Sequence, residues 1–152
     1  MTTRADIRDD REEHLKSLLN ERGMRCTTPR LQVVRILHQD GGHLTPDEIS
    51  SRLDAQDGKH APNLATVYRT LKALQDLGVV HPVAFPGNAV LFGLCDPPHH
   101  HAICIRCHRI TPVDAGGLLD AVRRAERASR HQLAPTASLQ LHGLCPGCQP
   151  PG

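Results

Sequence analysis

Three cysteines and four histidines fall within the fourteen residues from Cys95 to His108. A packed core has no need of such a concentration. Thiolate sulfur and imidazole nitrogen are the donors zinc prefers, whereas carboxylate-rich sets suit harder ions. Metal binding is therefore the first chemistry to expect.

The donors divide into two sets. Cys104 and Cys107 form one CxxC knuckle, and Cys145 and Cys148 form a second near the end of the chain. Four thiolates in two knuckles complete a tetrahedral zinc site with no open position, which is a structural arrangement. The gap between the knuckles is longer than in a compact zinc ribbon, so the chain between them must fold as a small domain and return. Disulfides or a redox CxxC are the other uses of such cysteines, but two matched knuckles beside histidines fit a metal better. The second set is what remains. With residues 90–95 and 99–105 extended, alternation puts His99 and His101 on one face and His100 on the other. Cys95 stands just before the Pro97-Pro98 turn, within reach of that pair. A solvated histidine run is the plain alternative, and it is the reading adopted for His100.

Positioning these donors falls to 152 residues, enough for one large domain or two small ones. Aromatic residues are 2% of the chain and Trp is absent, so any core is aliphatic, and bound metal would help stabilise a second half with a modest core. Six cysteines, with no signal peptide and no long apolar run, imply reduced, metal-bound thiols in the cytoplasm and no membrane segment. The net charge of +2 is too small to identify a partner, so the distribution of charge matters more.

Residues 4–22 mix charges with Ile7, Leu15, Leu18 and Leu19, which predicts an amphipathic helix ending at Gly23. Thr28 reads as the N-cap and Pro29 as the first position of a second helix, burying Leu31, Val34 and Leu37 and stopping near Gly41-Gly42. Thr45 to Glu48 is a capping box that opens a third helix with Ile49 and Leu53 inward. Asn63 to Leu77 carries Leu64, Val67, Leu71, Leu74 and Leu77 at helical spacing, and its other face presents Ala65, Thr66, Tyr68, Arg69 and Lys72. Small residues at a helix start allow close approach to a groove, and Tyr and Arg reach bases and phosphates, although most helical Arg and Lys are simply solvated. Residues 79–84 and 89–94, joined across Pro86-Gly87-Asn88, predict a hairpin. Helices followed by a hairpin wing describe a winged helix-turn-helix. Beyond the metal stretch, residues 110–113 read as a strand. Residues 114–130 read as a helix with Leu118, Leu119, Val122 and Ala125 inward and Arg123, Arg124, Arg127 and Arg130 solvated, and residues 137–142 as a strand leading into the last knuckle. The expected fold is α+β: a winged-helix unit over residues 1–95, a hinge at 96–98, and a small α/β metal-binding unit over 99–152.

Gly23 to Arg30, Asn63 to Leu71, the histidine run with its CxxC and the closing CxxC together resemble the ferric uptake regulator family across nearly the whole chain. The resemblance implies a dimeric, metal-dependent repressor that binds palindromic operator DNA through an N-terminal winged helix and pairs through its C-terminal half. On that resemblance Tyr68 and Arg69 contact the major groove, Arg25 approaches the minor groove, and Thr66 and Arg30 complete the DNA-facing set.

The branch of the family is read from departures. Iron and peroxide sensors carry a carboxylate on the second wing strand and another shortly after the first CxxC; the matching positions here are Gly93 and Pro112, which cannot ligate through a side chain. Cys95 resembles the zinc uptake regulators, as does His81, where those proteins supply Asp or His. The resemblance therefore implies a regulatory site of His81, Cys95, His99 and His101, the four ligands zinc accepts. His43, which matches a ligand of iron sensors, is a further candidate. Pro98 and Ala137 stand where a third site's histidines are often found, so two zinc ions per chain are expected, one structural and one regulatory. The expected function is a zinc-responsive repressor of zinc uptake and homeostasis genes, not an enzyme and without a small-molecule substrate. Sensing of iron, manganese or nickel is the alternative within the family. A zinc hydrolase or deaminase would need a general base, as in H-x-E with PCxxC, yet His99 to His101 run into Ala102 with no Glu. A zinc-ribbon adaptor that binds only protein would leave the Tyr68-Arg69 face without a use.

Overall fold

A computed structural model describes residues 4–95, 97–134 and 138–150, with side chains from residue 12 onward. The Ile7 side chain, Asp96 of the expected hinge, Ala137 and the last two residues of the tail lie outside the described residues.

The N-terminal half consists of α1 (Arg4–Glu21), α2 (Thr28–Asp40), α3 (Pro46–Asp57) and α4 (Leu64–Asp76). Each is short, so what holds it is the aliphatic stripe it buries rather than propensity. Leu19, Val33, Ile36, Ile49, Leu53 and Leu74 are at most 1% exposed and meet in one core. Each such burial contributes about 1.5–3 kcal/mol. The Thr45 hydroxyl accepts from the Glu48 amide, and the Glu48 carboxylate accepts from the Thr45 amide, forming the expected capping box. At α2 the expected cap is displaced: Thr28 is already helical, and Thr27 occupies the cap without a side-chain bond, the fixed φ of Pro29 fitting the first turn instead.

In α4 the Asn63 side chain accepts from the Thr66 amide at 2.9 Å. Val67, Thr70, Leu71 and Leu74 face the core. Leu64 and Leu77, expected on that stripe, are 37% and 39% exposed, because the helix overhangs the core at both ends. Its C-terminal end is held by Arg22, whose guanidinium donates to the Gly78 carbonyl at 2.7 Å, a cation on the negative end of the helix.

The wing is an antiparallel hairpin of β1 (Val80–Phe85) and β2 (Ala89–Leu94), in which His81 stands opposite Gly93. Gly87 and Asn88 turn it with φ of 83° and 62°. A short third rung joins it: Leu44 and Phe92 exchange both backbone bonds, at 3.0 and 2.8 Å. That rung lays His43 against β2.

The C-terminal half is a three-stranded sheet in the order β4-β3-β5, with β3 (His99–Cys104) central, antiparallel to β4 (Ile110–Asp114) and parallel to β5 (Gln140–Gly143). The crossover between the parallel strands carries α5 (Leu119–Ser129). The expected inward face of α5 is a correction: Leu118 and Val122 are half-buried, Leu119 is 45% exposed and Ala125 is exposed, since no described part of this chain covers them. The architecture is α+β, a winged-helix half followed by a sheet half. Among the described residues no helix is long and apolar enough to cross a membrane.

Candidate metal centres and nucleic-acid face

Four imidazoles converge between the two halves. His43 arrives on the Leu44 rung, His81 from β1, and His99 and His101 from one face of β3, and one ring nitrogen of each lies within 4.8 Å of the others. The Nε2 atoms of His43 and His81 are 2.8 Å apart, and each stands 3.0 Å from that of His101. A neutral ring nitrogen is either a donor or an acceptor. In a triangle of such atoms at least one pair must be alike, so mutual hydrogen bonds cannot satisfy all three. A cation shared by three lone pairs can, and the donor set therefore fits a metal ion.

The surroundings prepare these lone pairs. Burial, reinforced by neighbouring imidazoles, lowers His81 from 6.5 to about 3. Burial likewise lowers His43 and His101 to about 4 each. All three are neutral at pH 7. His99 Nδ1 donates to the Pro97 carbonyl at 2.8 Å, which leaves its Nε2 as the acceptor; outer bonds of this kind fix tautomer and ring direction in metal sites. The Ser138 hydroxyl lies 3.4 Å from His101 Nδ1. His100 points to the other face, where its Nδ1 accepts from the Leu139 amide.

Cys95 is a correction. The structure does not bring its sulfur into the histidine group; His43 stands there instead. The Cys95 amide donates to the Val79 carbonyl at 3.0 Å, so the hairpin's pairing runs on past Leu94, yet the Cys95 sulfur is not among the four donors that converge. Its thiol is half-buried, and burial pushes it up to about 11 against the pull of Arg22. Neither Gly93 nor Pro112 offers a donor, and no carboxylate joins either cluster among the described residues.

The four knuckle cysteines form the second group, with their sulfurs within 4.8 Å of one another. None of the six cysteines is in a disulfide. The amides of Cys107 and Cys145 both donate to the Cys104 sulfur at 3.4 Å and lower that thiol to about 5, while hydrogen bonding among the thiols raises Cys148 to about 12. Four sulfurs this close together, with two amides donating to one of them, fit a divalent ion with no open position. The chain thus carries two candidate metal-binding clusters, one of imidazoles and one of sulfurs.

On α4, Tyr68 is 50% exposed and Arg69 is exposed, its guanidinium donating to Thr66 Oγ1 at 3.0 Å. Arg30 donates to the Arg25 carbonyl at 2.8 Å, fixing the approach to α2, and Arg25 itself is exposed. Lys72 is paired with Asp76 on the same helix.

A profile described as the ferric uptake regulator family matches residues 21–142. The chain belongs to the ferric uptake regulator family. Membership makes it a cytoplasmic, metal-binding, DNA-binding transcriptional repressor rather than an enzyme. It is 34% identical over 130 residues to the ferric uptake regulation protein of Klebsiella pneumoniae, covering 84% of this chain and 81% of that one. Among solved structures it is similar to the Vibrio cholerae ferric uptake regulator, with a TM-score of 0.61 and 27% identity over 86% of this chain and 98% of that one. It is also similar to a zinc uptake regulator complexed with zinc and DNA, with a TM-score of 0.65 and 26% identity over 92% and 93% of the two chains. Sequence reasoning gave His43 only as an extra candidate and missed the reason it fits. Its match to a ligand of iron sensors was one signal, and an apolar residue, Leu44, placed between His43 and the Thr45 cap was another.

Proposed function

We propose that this chain is a dimeric repressor of palindromic operator DNA whose sensory centre is His43, His81, His99 and His101, with zinc held structurally by Cys104, Cys107, Cys145 and Cys148. The observation that carries the reading is the convergence of imidazoles from the winged half, His43 and His81, with imidazoles from the sheet half, His99 and His101. A divalent cation, when bound, supplies one attraction common to four lone pairs. His43 and His81 then tie the wing and the Leu44 rung to β3, and α4 takes a fixed attitude to the sheet half. The uncovered apolar side chains Leu119, Leu133 and Leu141 offer a second copy a surface to pair on. In such a dimer two α4 helices, presenting Thr66, Tyr68 and Arg69, must stand about 34 Å apart to enter successive major grooves. Arg25 and Arg30 flank them at the backbone or minor groove.

The donor set supports the wider reading of the sensed ion, with iron and nickel beside zinc. A thiolate at position 95 is what would single out zinc, and four imidazoles without sulfur or carboxylate suit ferrous iron or nickel as well as zinc. Manganese, which favours oxygen donors, fits least. The Klebsiella relative, a ferric uptake regulation protein, supports iron; the zinc uptake regulator structure keeps zinc as the second reading.

The test is selection from a random duplex pool at buffered free ferrous, nickel or zinc ion. The native chain is expected to enrich a two-fold symmetric sequence only with the cognate ion, and His101→Ala to enrich none. Tyr68→Ala is expected to weaken operator binding by about 1–3 kcal/mol, roughly 5- to 150-fold. Equal binding with and without every ion would refute the sensory role. Linkage also requires operator DNA to tighten ion binding by the same factor that the ion tightens DNA binding.

A further inference from the structure

The wing carries none of the charge expected of an arm that grips phosphates: from Leu77 to Cys95 there is no Asp, Glu, Lys or Arg. Its first strand has two faces with different partners. Alternation along β1 puts Val80, Pro82 and Ala84 on one face and His81, Val83 and Phe85 on the other. Val80 joins the aliphatic core of the helices, whereas Val83 is fully buried yet stands outside that core. The sheet half meets this second face at both ends. His81 Nε2 lies 3.0 Å from His101 Nε2 of β3. Four residues further on, the Phe85 ring stands edge-on to the His108 imidazole, with centroids 5.6 Å apart and planes at 79°, the geometry that aromatic pairs prefer.

His108 reaches that place against its own backbone preference. It follows Cys107 directly, and its φ of 63° lies in the left-handed region that glycine adopts freely and other residues resist. The turn from β3 into β4 imposes this conformation: the Cys104 amide donates to the Arg109 carbonyl at 3.0 Å, and the His108 amide to the Cys104 carbonyl at 2.9 Å. Glycine would serve the turn alone. An exposed imidazole there needs another reason, and the Phe85 ring supplies one. Phe85 is about 13 Å along β1 from His81. A single tie at the histidine centre leaves β1 free to pivot against β3; a second tie at that distance removes the pivot.

We infer that Phe85 and His108 are positioning residues: their edge-to-face contact fastens the wing to the first knuckle and holds His43 and His81 opposite His99 and His101 before an ion arrives. This rests on the reading that the histidine cluster binds an ion. The sulfur knuckle thereby tunes the ion affinity of a centre to which it gives no ligand, because only the aligned population binds well.

The experiment uses the full chain with zinc on the sulfurs and compares His108→Gly, His108→Phe, Phe85→Leu and the double variant His108→Gly with Phe85→Leu. Nickel and zinc affinities of the histidine centre are read against a competing chelator, and proton NMR of the His108 ring, without a second ion, reads the contact itself. In the native chain the ring current of Phe85 is expected to move the His108 resonances away from those of a solvated histidine, and Phe85→Leu to return them. A side chain kept only for the turn would be improved by His108→Gly, which relieves the left-handed residue. As a positioning residue it is expected instead to cost roughly 2- to 12-fold in ion affinity, the worth of one aromatic pair, with sulfur-bound zinc unchanged. Phe85→Leu is expected to cost as much and the double variant no more than either. His108→Phe is expected to keep native affinity, since a ring and not a nitrogen is required. Native affinity in His108→Gly, lost affinity in His108→Phe, additive losses in the double variant, or His108 resonances indifferent to Phe85→Leu would overturn the inference. Should Phe85→Leu fail to fold, the loss in His108→Gly and its rescue in His108→Phe decide. If the native chain takes up no ion beyond the sulfur-bound one, the reading of the centre fails, while the His108 resonances still decide whether the wing is fastened to the knuckle.

Discussion

The four-sulfur group and the four-imidazole group are built by opposite means. The sulfurs come from two knuckles of the sheet half, one of them at the exposed Cys107, and their charge is prepared locally by amides of the same knuckles. The imidazoles come from the Leu44 rung, the wing and β3 and span 58 residues between His43 and His101, and burial keeps His43, His81 and His101 neutral. A centre whose ligands all lie in one half can only report that this half is folded. A centre made of distant residues reports how two halves are set against each other.

The largest test of this contrast is Cys104→Ser. It removes the buried sulfur that accepts two amides, and structural zinc is folding energy. The sheet of β3, β4 and β5 is expected to lose protection in hydrogen exchange while α2 and α4 keep theirs. Retained protection at residues 99–104 would mean that the sulfur group is not what holds this half.

A smaller effect is expected from acid acting on the metal-free imidazoles. His81 is lowered from 6.5 to about 3, and His43 and His101 to about 4. Between those values and about pH 6.5 the unfolded chain binds more protons than the folded one, so stability falls as pH falls. Full stability is expected above about pH 6.5. Below it, loss continues toward pH 4 with a slope of up to about 1.4 kcal/mol per pH unit for each imidazole. Urea midpoints measured across that window, with zinc kept on the sulfurs, check the slope; a flat profile would show that these rings are not buried together.

The smallest effect belongs to Cys95→Ser. With the sulfur outside both groups, ion content and ion-dependent operator binding are expected to match the native chain. A lost equivalent of metal in this variant would return Cys95 to the centre and collapse the contrast between an all-sulfur and an all-nitrogen site.

Legibility of the chain followed the range of the signal. The capping box at Thr45, the apolar spacing of α4 and the Pro86-Gly87-Asn88 turn are local, and the fold class could be read from them. The knuckles are local too, since CxxC spacing announces its own geometry. The seat of His43 was not legible, because it depends on the Leu44–Phe92 rung, a single bridge without periodicity. Cys95 misled because a place on the His81 face of the hairpin does not by itself carry the sulfur to the centre, where the Leu44–Phe92 rung has put His43. The exposed face of α5 misled for another reason: its apolar spacing is real, but nothing described in this chain covers it.

β3 carries His99 and His101 at its beginning and Cys104 at its end, so a single strand is shared by both centres. Whatever fixes the far end of β3 at Cys104 therefore also fixes the seat of His99 and His101, and a disturbance at either group is carried to the other along six residues of one strand.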